Sequence, residues 1–251
     1  MKIINNCYLP HRTTRRNHEM NRIYNQTELD NYIKKYNIED FFGINMKKYM
    51  ELHMFDKGSH IVKTNEPIDY FYFFVEGKIK VYTILKNGKS LLFRLYKPLN
   101  IIGDVEFIDC DTANSNIEAI NECLCIGISM SNIRKYAVND PTFLKCMCRG
   151  LGKKFISSSI ASSINILYPL ENRLSSYLLA IAPENSQHSN LDGGIITDKF
   201  TEMADLLGTS YRHLIRTINK LCDDNIIRKE RNSITILNMK ELEKLAGDLY
   251  K

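Results

Sequence analysis

The spacing of apolar residues changes twice along this chain, and each change marks a different kind of structure. From about residue 52 to 130 the chain is dense in aromatic and β-branched residues punctuated by turns, as in "YFYFFVEGKIKVYTILKNGKSLLFRLYK". Aromatic and β-branched residues in such runs predict strands. Glu76-Gly77 and Asn87-Gly88 are turn signals, and Asn-Gly between apolar runs is the stronger hairpin mark. Further strands are expected near 101–102, 116–120 and 123–129. Many short, evenly spaced strands predict a small antiparallel barrel or roll.

Ahead of this stretch, residues 26–50 hold short helical patterns. Thr27 and Asp30 have the spacing of a weak cap, followed by Leu29, Ile33 and Tyr36 at helical intervals. Residues 1–25 are polar, with Arg12, Arg15 and Arg16 close together. A flexible tail is expected there, with a basic arm touching DNA as the alternative.

After residue 140 the period becomes 3.6. Asp140 suits an N-cap and Pro141 the first helical position. Leu144, Cys148, Leu151, Phe155, Ser159, Ser162 and Ile166 form a stripe spaced three or four apart. A helix over 141–168 would be roughly 40 Å long. Such a helix packs against a copy of itself or lies along its own β domain. The small serines on the stripe favour close approach of two helices. Pro169 predicts a break, and "LENRLSSYLLAIA" a second helix with Leu170, Leu174, Tyr177, Leu178 and Ile181 on one face. The polar segment 183–194 reads as a loop. "IITDKF" suggests a short strand, "NIIRKERNSITIL" a hairpin, and "NMKELEKLAGDLYK" a closing amphipathic helix.

Between them lies "TEMADLLGTSYRHLIRTINKL", two short helices broken at Gly208. With Phe200 as the start, Met203, Leu207 and Leu214 point inward, and Ala204 sits where two crossing helices leave room only for a small side chain. Gly208 falls in the turn, where a positive φ is expected. Thr209 and Ser210 are cap candidates for the second helix. Its outward face carries Tyr211, Arg212, His213, Arg216 and Asn219. Arginine donates two hydrogen bonds to guanine O6 and N7, and the N-terminal part of a recognition helix is best placed for base edges. Arg212 and Arg216 are therefore the expected base readers, and Ser210 and His213 are expected on phosphate. Arg228, Lys229 and Arg231, expected at the tip of the following hairpin, mark it as a basic wing along the sugar-phosphate backbone. Thr217 breaks the pattern, because an aliphatic residue is usual at that inward position. The competing reading is a helical hairpin with a solvated basic face. The small residue, the glycine turn, the cap and the basic wing together favour DNA binding.

Composition adds limits. The 251 residues carry 44% apolar residues and a net charge of +5, which permits an acidic partner without requiring one. No run of 18 apolar residues and no apolar leader core is present, so neither a membrane span nor a secretory signal is expected. The seven cysteines are Cys7, Cys110, Cys123, Cys125, Cys146, Cys148 and Cys222. An odd, scattered set fits reduced thiols and a cytoplasmic location better than a disulfide framework. An enzyme finds little support. "GLGKKF" (150–155) lacks phosphate-loop spacing and falls within a helical pattern, where Gly150 and Gly152 would serve close packing or a bend. No His-Glu-x-x-His or Gly-x-Ser-x-Gly occurs.

A β roll, a long helix and a winged helix-turn-helix in that order resemble the CRP/FNR family of bacterial transcription regulators. The resemblance covers about residues 50–250. It rests on "YFYFFVEGKIKVY", "NGKSLLFRLYKPLNIIGDVEFI" and "NIEAINECLCIGIS", and on "MADLLGTSYRHLIRTINKLCDDNIIRK". "SYRHLIR" also resembles the YeiL-like branch. The implied fold is α+β: a flexible tail at 1–25, a jelly-roll-like, cyclic-nucleotide-binding-like sensor at 26–140, a dimerisation helix at 141–168 and a winged helix-turn-helix at 169–251. The resemblance implies a homodimer joined through Leu144, Cys148, Leu151, Phe155, Ser159 and Ser162. It also implies a near-palindromic double-stranded DNA site with half-site centres about 34 Å apart. Tyr211, Arg212 and Arg216 take the base-reading roles, and RNA polymerase is the implied partner.

Cyclic-nucleotide members of the family place a Gly-Glu pair on the ribose and an Arg-Ser pair on the cyclic phosphate. Here the first reads Gly103-Asp104, and the second falls near Asn114 and Ser115, with no arginine. A bound anion needs charge or several oriented donors, so cyclic AMP is not the expected ligand. Lys97 and Arg94 are the basic residues available to replace the missing charge. An iron-sulfur centre is not expected either, since only Cys7 lies near the N-terminus. A thiol or metal sensor using Cys123 and Cys125, which share one strand face, is an alternative. So is a cyclic-nucleotide-type regulatory module of another enzyme, and more weakly a haem site at His53 or His60.

Overall fold

The computed structural model describes residues 20–86, 88, 90–108, 112–182, 195–196, 199–230 and 233–247. Strand β1 (Met20–Ile23) precedes helix α1 (Gln26–Lys35) and two helical turns at Ile38–Phe41 and Lys47–Tyr49. Strands β2 (Glu51–Phe55), β3 (His60–Val62), β4 (Tyr70–Glu76), β5 (Ile79–Ile84), β6 (Ser90–Tyr96) and β7 (Asn100–Ile102) follow. Helix α2 (Asp104–Ile108), strands β8 (Asn116–Ala119) and β9 (Cys123–Ser129) and helix α3 (Met130–Asn132) complete this part. Helices α4 (Pro141–Leu167) and α5 (Leu170–Ile181) lead to β10 (Ile195–Ile196), α6 (Phe200–Leu206), α7 (Tyr211–Asp223), β11 (Ile227–Lys229), β12 (Ser233–Ile236) and α8 (Met239–Ala246).

The strands make a five-stranded sheet, β1-β2-β9-β4-β7, and a four-stranded sheet, β3-β8-β5-β6, with antiparallel pairing throughout. Their strand composition explains the packing. On β4, Phe71, Phe73 and Val75 face one core while Tyr72 and Phe74 face another. Its antiparallel neighbour β9 divides the same way, with Leu124, Ile126 and Ile128 on one side and Cys123 and Cys125 on the other. A strand covered on both faces reads as a continuous apolar run, which is what "YFYFFV" is. One core lies between the sheets. The other lies under α1, the turn residues Ile38 and Phe42, and Phe143 and Met147 of α4. Truncating Phe71 or Phe73, both fully buried, would cost about 3–5 kcal/mol.

Several local expectations change. Met20–Ile23, expected in a flexible tail, forms a strand paired with β2, where Arg22 meets Glu51 at 3.0 Å and Met20 and Ile23 pack against the two cores. The tail's Arg12, Arg15 and Arg16 lie outside the described residues. Thr27 is not the cap of α1. Asn25 is, its side-chain oxygen accepting from Glu28 N at 3.1 Å. Asp140 caps α4 as expected: Oδ1 accepts from Thr142 N at 2.9 Å, and Oδ2 accepts from Gly43 N at 2.6 Å. The long helix ends at Leu167, one residue short of expectation, because Pro169 drives Tyr168 to an extended backbone (ψ 138°). Gly150 and Gly152 allow no close packing within the chain. A Cβ on either would meet nothing within 4 Å, and α4 runs through both.

The C-terminal helices surround a third core of Leu170, Leu174, Tyr177, Leu178, Met203, Leu207, Leu214, Ile218 and Leu221. Leu92 of β6 is fully buried in it, so the outer face of the four-stranded sheet seats the helical unit.

Candidate nucleic-acid interface and effector pocket

Gly208 has φ +62° and closes the turn between α6 and α7, a backbone that other residues adopt at a cost. Ser210 caps α7, its oxygen accepting from His213 N at 3.2 Å. Met203, Ala204, Leu207 and Leu214 are buried, which fixes the opposite face outward. Tyr211, Arg212, His213, Arg216 and Asn219 are exposed on that face. The phosphate-binding candidates already have intramolecular bonds. Ser210 holds the cap, and His213 Nδ1 lies 3.2 Å from Thr209 Oγ1. Thr217 is tolerated inside because its hydroxyl donates to His213 O at 3.1 Å, one turn back, so no buried polar group is orphaned. At the far end of α7, Lys220 Nζ reaches Glu171 of α5 at 2.5 Å, and that hydrogen bond raises the lysine pKa.

Strands β11 and β12 form the expected hairpin, with β10 pairing to β12 as the third strand. Arg228 and Lys229 are exposed, but on strand β11 rather than at the tip. Strand pairing up to Lys229↔Ile234 holds them there. Lys229 Nζ lies 5.3 Å from the centre of the Phe200 ring, which draws the wing against the start of α6. Arg231 lies outside the described residues.

In the roll, Gly103 has φ +91°, and a Cβ there would meet Tyr70 O and Met130 Cε at 3.3 Å. Asp104 is buried and is not a free acid. Lys154 of α4 reaches its Oδ1 at 2.7 Å and also donates to Ile101 O at 2.7 Å. Glu106, also buried, was not marked by any sequence motif; burial pushes its carboxyl above the usual range, partly offset by backbone N–H groups of Glu106 and Asn114. Asn114 is exposed and Ser115 half-buried at the entry to β8. Of the two basic residues available to replace the missing arginine, one is engaged elsewhere. Arg94 Nη1 donates to Ser157 O at 3.3 Å, and Lys97 is exposed. Lys154 was missed because it lies far along the chain, and only helix packing brings it to Asp104.

Cys123 and Cys125 do share a face, but it is the interior one. Burial pushes the Cys123 thiol up to about 12 and the Cys125 thiol well above its usual value, which suppresses thiolate chemistry. Among the described residues, no group of three His, Cys, Asp or Glu side chains is arranged to hold a metal. His53 is buried against Tyr72 Oη at 3.3 Å and Glu51 at 3.2 Å, and His60 Nε2 lies 2.9 Å from Tyr82 Oη. Among those residues, no helix is long and apolar enough to cross a membrane.

Comparison with known proteins agrees with this geometry. Residues 52–140 match the cyclic nucleotide-binding domain family and residues 172–245 the Crp-like helix-turn-helix domain family. The chain is 28% identical over 211 residues to the regulatory protein YeiL of Escherichia coli O157:H7, covering 84% of this chain and 92% of that one. It is 21% identical to the CRP-like cAMP-activated global transcriptional regulator of Mycobacterium tuberculosis, covering 76% and 86%. Among solved structures, a CRP/FNR-family regulator from Eubacterium rectale superposes with a TM-score of 0.68 at 16% identity, covering 86% of this chain and 99% of that one. A CRP-family transcriptional regulator from Thermus thermophilus superposes with a TM-score of 0.63 at 17% identity, covering 79% and 98%. A cyclic-nucleotide-binding fold followed in the same polypeptide by a Crp-like helix-turn-helix places the chain in the CRP/FNR family of DNA-binding transcription regulators.

Proposed function

We propose that this regulator acts in the cytoplasm as a homodimer on a near-palindromic DNA site, with RNA polymerase as its partner. Arg212 and Arg216 read bases, with Tyr211 beside them; Arg228 and Lys229 of the wing follow the backbone, with Arg231. The observation that carries this reading is the exposure of Arg212 and Arg216, one turn apart on a helix whose opposite face is anchored by Leu214 and Ile218. A helix that presents two guanidinium groups on one exposed face can offer them to base edges in the major groove.

The dimer reading is supported by the outer face of α4. Leu144, Cys148, Phe155, Ser159 and Ser162 are exposed, and Phe155 keeps 74% of its surface in water. Ile166 of the same stripe, together with Ile156, Ile160 and Leu167, extends this apolar face. A patch of this kind marks an association surface. Leu151 is half-buried and belongs at its margin. Gly152, exposed with open space at its Cβ position, would allow two helices to approach closely.

The sensor pocket is proposed not to take cyclic AMP. Asp104 is engaged by Lys154, buried Glu106 adds a second acid, and Asn114 stands where the phosphate-binding arginine would be. The decisive experiment is selection of bound sites from random DNA, with and without cell extract. Enrichment of a two-fold symmetric site supports the reading, and a need for extract reveals an effector. Enrichment of no sequence in either arm overturns it. Calorimetry showing tight cyclic-AMP binding would refute the pocket reading alone.

A further inference from the structure

Arg173 lies in the first turn of α5, just after the break at Pro169, and only 9% of it is exposed. Its guanidinium joins two helix ends. Nε donates to Tyr168 O, the C-cap of α4, at 3.3 Å. Nη1 donates to Leu207 O, the C-cap of α6, immediately before Gly208. No acidic side chain pairs with it among the described residues. Both acceptors are carbonyls at helix C-termini, where the partial charge is negative, which is why a buried cation is tolerated there. A planar fork of donors can hold two carbonyls in fixed relation, as a lysine ammonium cannot.

The same turn is touched from its other side. A Cβ on Gly208 would meet Leu91 Cδ1 of β6 at 3.1 Å, and Leu92 beside it is buried in the helical core. The turn that opens the recognition helix is therefore held between the end of the long helix and the roll.

We propose that Arg173 is a positioning residue for DNA reading. It keys the recognition helix to the end of α4, so that the two recognition helices of a dimer present themselves at one spacing. The proposal rests on the homodimeric reading above. It does not involve DNA contact by Arg173, which is buried.

The test uses the full chain and duplexes carrying the selected half-sites at their native spacing, or with one or two base pairs added or removed. Wild type should prefer one spacing by about tenfold or more. Arg173→Lys should remain a dimer and keep its affinity for non-specific DNA, while its spacing preference falls to about threefold or less. A merely structural role would instead lower all DNA binding together with the folded fraction. Arg173→Gln keeps a side-chain donor but not the two-armed fork; it should lose the preference in the same way, and it covers the case in which Arg173→Lys does not fold. A folded dimer of either variant that retains the wild-type preference overturns the proposal. A wild-type chain that sediments as a monomer brings down the dimer reading, and the proposal with it.

Discussion

Lys154 Nζ lies 2.7 Å from Asp104 Oδ1, so the long helix is pinned to the turn that begins the sensor's short helix. The Asp104 side chain is almost wholly buried, while that of Lys154 is about three-quarters covered (26% exposed). Replacing the lysine with methionine preserves the stem and removes the charge. Asp104 would then be a buried acceptor without its cation. We expect Lys154→Met to lower stability by about 1–3 kcal/mol in urea denaturation. A change below about 0.5 kcal/mol, within the range of ordinary surface substitutions, would show that the pair holds nothing together.

Arg212→Ala and Arg216→Ala should each cost roughly 1–3 kcal/mol against the selected site and relax base preference at one position per half-site. Both side chains are exposed, so stability should barely change. Unaltered cognate affinity in both variants would move base reading to another face of the helix.

Lys229→Ala should weaken binding to all sequences about equally and reduce the salt dependence by about one unit of slope. The lysine also lies over the Phe200 ring, so a small loss of stability is expected as well. A loss confined to the cognate site would contradict a backbone role.

Phe155→Glu should split the proposed dimer, because it puts a charge at the centre of the apolar face of α4. Sedimentation should change from dimer to monomer without loss of helical signal. A dimer of unchanged affinity would place the interface on another surface.

Cys148 is exposed on α4, whereas Cys123 and Cys125 are buried with raised thiol pKa values. Alkylation at neutral pH should spare Cys123 and Cys125 throughout, and should reach Cys148 faster in the Phe155→Glu variant than in the wild type, where the proposed dimer covers it. Rapid labelling of Cys123 or Cys125 would restore the thiol-sensor reading.

Much of this was legible along the chain because it depends on neighbours in sequence. The aromatic, β-branched run "YFYFFV", Asp140-Pro141 at a helix start and the stretch from Ala204 through Gly208 to Ser210 are local patterns with local causes. They announced the roll, the long helix and the reading unit. Strand β1 escaped notice because four residues with two polar members carry too little periodicity, and its stability comes from pairing with β2. Thr217 looked like a misfit in sequence. Its hydroxyl has a partner one turn away, and the residue pattern does not reveal that bond.

What the sequence determined by itself was the order of parts and the residues that face outward on the recognition helix. Both follow from helical and strand periodicity, which operates over a few residues. Only the tertiary structure decided which distant groups meet. Lys154 of the long helix answers Asp104, Leu92 of the roll completes the helical core, and Arg173 ties Tyr168 to Leu207. The physical reason is that burial of charge and closure of cores are settled between segments dozens of residues apart, where packing chooses the partner and local spacing carries no record of it.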